Sequence, residues 1–384
     1  PFPQFILAAA TFQMASKGLE QFPSGNIYIQ LADGAKTLFL STRATLDYPV
    51  TEYVGSQHIA QPEPAPVLTA ENIGSVSLLA NLITDTGDVY SVGFSPDGKL
   101  IALGCWDPAY VVIWDVADAL ATGGAADPKF LLEPPEDGGN ESIQNILFSA
   151  DSARIIVAGY NYADSIVWDT TTGDKVGELL DPRNKGDEFL ADYYSATPAL
   201  DLDGNYLATF FEPDIGLRSF NIVTGEELAL KDIQADTYKY SPDGSRIAYI
   251  RTGGSVILTD ANDTVITTIS SGPPEARAVD FSPDGSRLLV GSNAGVAIYD
   301  VITGEEVNRV FQGSVWDVEW SPDGSLVAAG LSKTVIIFDA ATGNRVAEIP
   351  QASYVSSVDF SPDGTLLVVG LWSSRAYVWG IAAQ

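Results

Sequence analysis

One short string recurs along this chain and constrains its fold more than any other feature. Phe-Ser-Pro-Asp-Gly starts at Phe94, Phe281 and Phe360, and Tyr240 and Trp320 open the same string with a different aromatic. Two degenerate copies, Phe148-Ser149-Ala150-Asp151-Ser152 and Leu200-Asp201-Leu202-Asp203-Gly204, fill the gaps. The starts define seven units; four intervals are 39 to 41 residues, and the first two are 54 and 52.

Every unit reads alike. In the sixth, Val315 to Trp320 alternates as a strand, and the Pro-Asp-Gly turn follows. Proline presets φ for a tight turn and glycine accepts positive φ, so the string is hairpin punctuation. A second apolar strand (Ser325 to Gly330) and a third ending in an aromatic-Asp pair (Thr334 to Asp339) come next. After Ala340-Ala341-Thr342-Gly343, Asn344 to Ile349 supplies a fourth. Four short strands in about 40 residues is the pattern of a propeller blade.

With those residues in place the chain resembles the WD40 family. Trp114-Asp115 and Trp168-Asp169 are literal Trp-Asp pairs, while Tyr299-Asp300 and Phe338-Asp339 are close variants. Phe220-Asn221, Thr259-Asp260 and Trp379-Gly380 are weaker ones. The resemblance covers residues 75 to 384 and implies an all-β fold, a seven-bladed β-propeller of four-stranded antiparallel blades. The family often carries a Gly-His pair before the first strand. Here the one histidine, His58, lies outside every repeat, so apolar packing and strand ladders are expected to hold the blades. The pattern looks more like bacterial WD40-like proteins, in which a Thr-x-Glu-Asn segment precedes the first blade; Thr69-Ala70-Glu71-Asn72 and Val76 to Leu79 look like that. A secreted protein, in an extracytoplasmic or extracellular location, is the corresponding expectation.

The last unit stops after its third strand, which would leave an open edge. Ser75 to Ile83 reads as a strand before the first unit, and in the family such a segment completes the final blade. The domains are therefore expected to be a propeller over 75–384, closed by strand 75–83, and an N-terminal extension over 1–74. Within the extension, residues 26–43 read as a hairpin turning at Asp33-Gly34, and residues 61–66 as a proline-rich extended spacer. An isolated hairpin is marginal in water and must dock, on its own propeller or on another protein. Its apolar residues Ile27, Ile29, Leu38 and Leu40, with Phe2, Phe5, Ile6, Leu7 and Phe12 at the start, are candidates for an assembly arm. Insertions near Ala117 to Asn140 and Asp181 to Asp192 read as surface loops.

Composition bounds the function. Fifty acidic residues against 20 basic ones give a net charge of −30, which repels phosphate backbones and anionic lipid. Nucleic acid is thus not an expected partner; weak cation binding by the acidic surface is. No apolar run approaches the ~18–20 residues that span a bilayer. Phe5 to Ala10 lacks a basic flank and is no intact signal peptide, and a Pro at the first position suggests processing or a missing start. Cys105 is the sole cysteine, so neither an intramolecular disulfide nor a cysteine zinc site is expected. Imidazole-dependent catalysis has only His58 to use. Asp201-Leu202-Asp203-Gly204-Asn205 departs from a calcium loop in its glycine and lacks the distal Glu. Asn140-Glu141-Ser142 and Asn262-Asp263-Thr264 match the glycosylation sequon. No catalytic set, cofactor or metal site is expected.

The resemblance places the loops between second and third strands around one mouth of the channel. Trp106, Asp107, Tyr160, Tyr162, Phe211 and Glu212 lie on them in the first three units, and Arg251, Asn293, Lys333 and Trp372 in the last four. Tyr90, Gln144, Asp236, Arg277 and Trp316 take equivalent first-strand positions. Aromatics and Arg are typical interface anchors, although aromatics in strands also pack between blades. The expected function is a non-catalytic scaffold that binds a protein partner or assembles with itself through the N-terminal arm. A channel-mouth ligand receptor, or a hydrolase working through paired carboxylates, is the alternative.

Overall fold

The computed structural model describes residues 65–382, apart from 85–86, 107–108, 134–141, 161–164, 180–196, 201–205, 213–215, 232–234, 236, 252–253, 262–263 and 270–275, together with the strands 26–30 and 37–41. The chain forms two compact units, Pro1–Pro64 and Ala65–Gln384. In the first, Asn26–Gln30 pairs antiparallel with Thr37–Ser41, setting Ile27 opposite Leu40 and Ile29 opposite Leu38.

The larger unit is all strand but for one α-helix and one short 3-10 turn among the described residues. Five four-stranded antiparallel sheets follow the sequence units from the third onward. The first two units do not form separate blades. Trp106, at the end of the second strand of unit one, pairs with Ser142, which opens the first strand of unit two. One eight-stranded sheet results, so the expected count of seven blades is corrected to six. Strand length explains the merger. Leu100–Trp106 and Ser142–Phe148 have seven residues each, against five and four for Leu326–Gly330 and Asp317–Trp320 in unit six. The longer strands reach past the usual rim and meet.

Turn chemistry builds each unit locally. In unit six the Ser321 hydroxyl donates to Asp323 Oδ1 (2.7 Å) and accepts the Leu326 N–H (2.8 Å), while Ser325 N–H donates to the same carboxylate (2.9 Å). The same Ser–Asp arrangement recurs at Ser95, Ser149, Ser241, Ser282 and Ser361. In the degenerate second copy Ser152 stands in the glycine's place at φ 60°, the one non-glycine with positive φ among the described residues. The aromatic-Asp pair has a matching role at the other turn. Asp300 Oδ1 accepts the Ile302 and Thr303 N–H groups (3.0 Å each), and Asn221 does the same for Val223 and Thr224 (2.9 Å each). In unit one that aspartate, Asp115, caps the α-helix Val116–Thr122, which ends at Gly123 in the left-handed conformation. The first insertion, read from sequence as a loop from Ala117, is therefore partly helical.

Among the described residues the core is distributed between neighbouring units, as clusters on both faces of the second strands of units one, four, five, six and seven. One joins units seven and one through Leu82, Val89, Leu103, Val368 and Val378; another joins units five and six through Val296, Val318, Trp320 and Phe338. A glycine in the second strand marks four of these seams. A Cβ on Gly291, Gly330 or Gly370 would lie 2.7 Å from a methyl of Val318, Val355 or Val92 in the next unit, and one on Gly104 would lie 2.6 Å from the Ile143 carbonyl oxygen.

Ser77–Ile83 pairs with Arg375–Gly380 and supplies the fourth strand of the last sheet. Leu68 and Ile73, just before it, are buried against units six and seven, and Leu68 N–H donates to Gly364 O (2.8 Å).

Candidate functional site

Loops between second and third strands, and the starts of first strands, meet at one rim of the propeller. Six of the candidate residues form a continuous belt there. Tyr90 packs edge-on to Trp106 (centroids 6.0 Å, 89°) and lies 6.0 Å from Trp372. Trp372 meets Trp316 at 4.9 Å, and the Arg277 guanidinium stacks 4.2 Å over the Trp316 ring. Lys333 lies 5.5 Å over Tyr354, itself 6.2 Å from Trp372. The belt crosses units five, six, seven and one. Trp106 and Tyr354 are 45% and 47% exposed.

Tyr354 was not among the sequence candidates. It lies just before the strand Val355–Phe360, whose register shifts between Val355 and Ser357, so strand alternation gave no signal for it. Arg251 is exposed on the corresponding loop of unit four, its N–H bonded to Ser255 O (2.9 Å). Asn293 Oδ1 accepts the Ser314 hydroxyl (3.2 Å). Asp107, Tyr162 and Asp236 lie outside the described residues, as do the side chains of Gln144, Tyr160, Phe211 and Glu212. Of the arm candidates, Phe2, Phe5, Ile6, Leu7 and Phe12 lie outside them, and Ile27, Ile29, Leu38 and Leu40 are described in backbone only.

A second site faces the Pro-Asp-Gly turns. A cavity of about 300 Å³ is lined by Lys239, Asp280, Glu319, Trp320 and Phe360, with Pro242, Pro283 and Pro322 at its edge. Lys239 Nζ bridges Asp280 (2.7 Å) and Glu319 (3.5 Å). These residues occupy one repeat position, just before the aromatic of the recurring string. The carboxylates also tie unit to unit. Asp280 accepts Trp320 N–H (2.9 Å), Asp317 accepts Val358 N–H (2.9 Å), and Asp359 accepts Phe94 N–H (2.6 Å) across the ring's closing seam. Blades are thus held by more than packing and ladders. Side-chain oxygens bonded to a neighbour's backbone add to them.

Burial pushes the Asp359 carboxyl up to about 7, against the pull of the Phe94 N–H and Lys239, and burial likewise raises Asp317 and Glu319. At Lys239, whose side chain is 44% exposed, partial desolvation opposes the charge, but Asp280 and then Glu319 outweigh it and hold the ammonium above its ordinary range. A carboxyl raised on folding binds its proton more tightly in the native state, so stability falls as pH rises from about 4 to about 7. The turn carboxylates have the opposite sign. Asp243 is held down to about 2 by the Ser241 hydroxyl and the Ser245 N–H, and its contribution is lost as pH falls through that value. The melting temperature should therefore peak near pH 4–5. Asp359→Asn should flatten the decline toward pH 8, raising stability there by about 1–3 kcal/mol and changing little at pH 4. Parallel thermal melts of the two proteins across that range check this; parallel profiles would reject it.

Comparison with known proteins agrees with this geometry. The family model for the WD domain, G-beta repeat, matches residues 77–115, 305–339 and 343–380. Among curated proteins, Protein HIR1 of Kluyveromyces lactis is 28% identical over 195 residues, covering 44% of this chain and 21% of that protein. Protein HIR1 of Eremothecium gossypii is 27% identical over 235 residues, covering 53% and 26%. The chain thus spans about a quarter or less of the length of these relatives. Both are yeast proteins, which overturns the expected bacterial, secreted affinity and with it the extracellular location. Turn chemistry, sheet order and matched repeats agree on a β-propeller whose units are similar to the WD domain, G-beta repeat.

Proposed function

We propose that this chain is a non-catalytic protein-interaction scaffold that engages partners with the aromatic rim. The observation that carries this reading is the belt from Tyr90 to Arg277, which crosses four consecutive units and leaves two large rings nearly half exposed. Contiguous exposed aromatic surface on a rigid frame marks an interaction site, and Trp, Tyr and Arg carry most interface energy. Trp106→Ser with Tyr354→Ser removes the exposed rings without opening a buried cavity. Immobilised wild type should retain proteins from its source that the double variant retains at least about ten-fold less. Identical retention by both would reject the reading.

Hydrolytic silence belongs to the same reading: no turnover of glycosides, esters or phosphate esters is expected. Turnover abolished by Asp280→Asn or Glu319→Gln would favour the carboxylate hydrolase instead.

A second reading concerns residues 1 to about 60 as an assembly arm. Its hairpin pairs only within itself among the described strands, and two-stranded sheets are marginal alone. Light scattering should find the full chain larger than a form starting near Pro62, increasingly so as salt screens the net charge of −30. Equal masses at all salt levels would reduce the arm to a cap.

A further inference from the structure

We propose that the aromatic rim selects an acidic peptide segment, one whose Asp or Glu side chain docks on Arg277 beside Trp372 while flanking apolar residues lie on Trp106 and Tyr354. This inference rests on the reading of the rim as a protein-binding face.

Hydrogen-bond accounting points to the missing group. Arg277 Nη1 and Trp372 Nε1 are shielded from solvent and have no acceptor among the described residues. Guanidinium and indole nitrogens only donate. A donor left unpaired in a shielded position is costly, so the group that completes this site is an acceptor. The two nitrogens belong to side chains that both contact Trp316, through the 4.2 Å stacking and the 4.9 Å ring contact. A carboxylate, with two oxygens and about four acceptor sites, suits the fork of the Arg277 guanidinium better than a single carbonyl.

Charge points the same way. The chain has only 20 basic residues against 50 acidic ones, yet Arg277 and Lys333 are both on this belt. Neither has a carboxylate partner among the described residues. The belt's own acid, Asp88, acts on Tyr90, two rings away from Arg277. A positive end on an otherwise anionic surface favours an anion delivered on a short segment. A polyphosphate backbone would meet the net charge of −30 along its length. The extent of the belt, across four units, suits a peptide with side chains to either side of its acid.

The test uses the full chain and three pools of fluorescein-labelled peptides, about twelve residues long, with one central Glu, Gln or Lys among apolar neighbours. Fluorescence anisotropy near physiological salt should show the Glu pool binding about ten-fold or more tighter than the Gln pool, as expected for a charge-assisted bond over a neutral one. Lys should be the weakest. Arg277→Gln should bring the Glu pool down to the Gln pool's affinity while leaving the Gln pool's own binding in place. Arg277→Lys should keep part of the preference. Matching melting temperatures would show that the variants remain folded. Equal affinity for Glu and Gln pools, with both weakened by Trp106→Ser, would overturn acid selectivity and leave the rim as a binding face. A preference for Lys, or a Glu preference that survives Arg277→Gln, would also overturn it. Binding by none of the pools would overturn it as well, and retention of source proteins would then decide separately on the rim.

Discussion

A chain lacking residues 1–84 is expected to lose its cooperative thermal transition, whereas one lacking residues 1–60 should melt as the full chain does. The longer deletion removes Ser77–Ile83 and exposes the whole hydrogen-bonding edge of Arg375–Gly380. It also removes Leu68, Ile73, Ala80 and Leu82, all within 1% of complete burial. Four buried side chains and a strand ladder are comparable to the ~5–15 kcal/mol by which domains are usually stable. Leu82→Ala tests the same joint without truncation. It should cost about 2–5 kcal/mol, because the side chain is fully enclosed between units seven and one and its loss leaves a cavity. A Leu82→Ala midpoint within experimental error of wild type in urea would remove the closing strand from any stabilising role.

Gly370→Val should be nearly as damaging, from the opposite cause. The added Cβ would stand 2.7 Å from a Val92 methyl, 3.0 Å from Ser356 Oγ and 3.1 Å from a Val89 methyl. None of these can retreat easily, since Val89 is fully buried and Val92 nearly so. Overpacking a tight seam costs about 1–3 kcal/mol, and the two branching methyls add to it. The same substitution at the exposed turn glycine Gly225, where nothing lies within 4 Å, should cost only the backbone strain of its positive φ, about 1–2 kcal/mol. Urea unfolding of both variants separates crowding from strain. Equal losses would mean that the seam glycines do not set how closely the units approach.

Much of the rim was legible residue by residue. Tyr90, Trp106, Trp316 and Trp372 stand at fixed offsets from the recurring string, and a strand's two-residue period places such positions at one end of every unit. Their mutual contacts were not legible, because spacing along one strand carries no distance to the next. The Lys239 cluster was missed although Lys239, Asp280, Glu319 and Asp359 share one offset from the recurring string, because they differ in charge and the ion pairs form only where the ring brings them together.

By itself the sequence determined the unit and its turns. Ser-Pro-Asp-Gly and the aromatic-Asp pair work through bonds spanning five residues or fewer, so local chemistry suffices to specify them. Closure is seen in the pairing of Ser77–Ile83 with Arg375–Gly380. Tertiary structure alone decided the sheet count, the glycine seams and the carboxylate ties. Trp106 meets Ser142 across 35 intervening positions, Gly370 meets Val92 and Asp359 meets Phe94 across most of the chain. Contacts between elements so far apart depend on the ring's radius and the length of each strand beyond its rim, and no local pattern of side chains encodes either quantity.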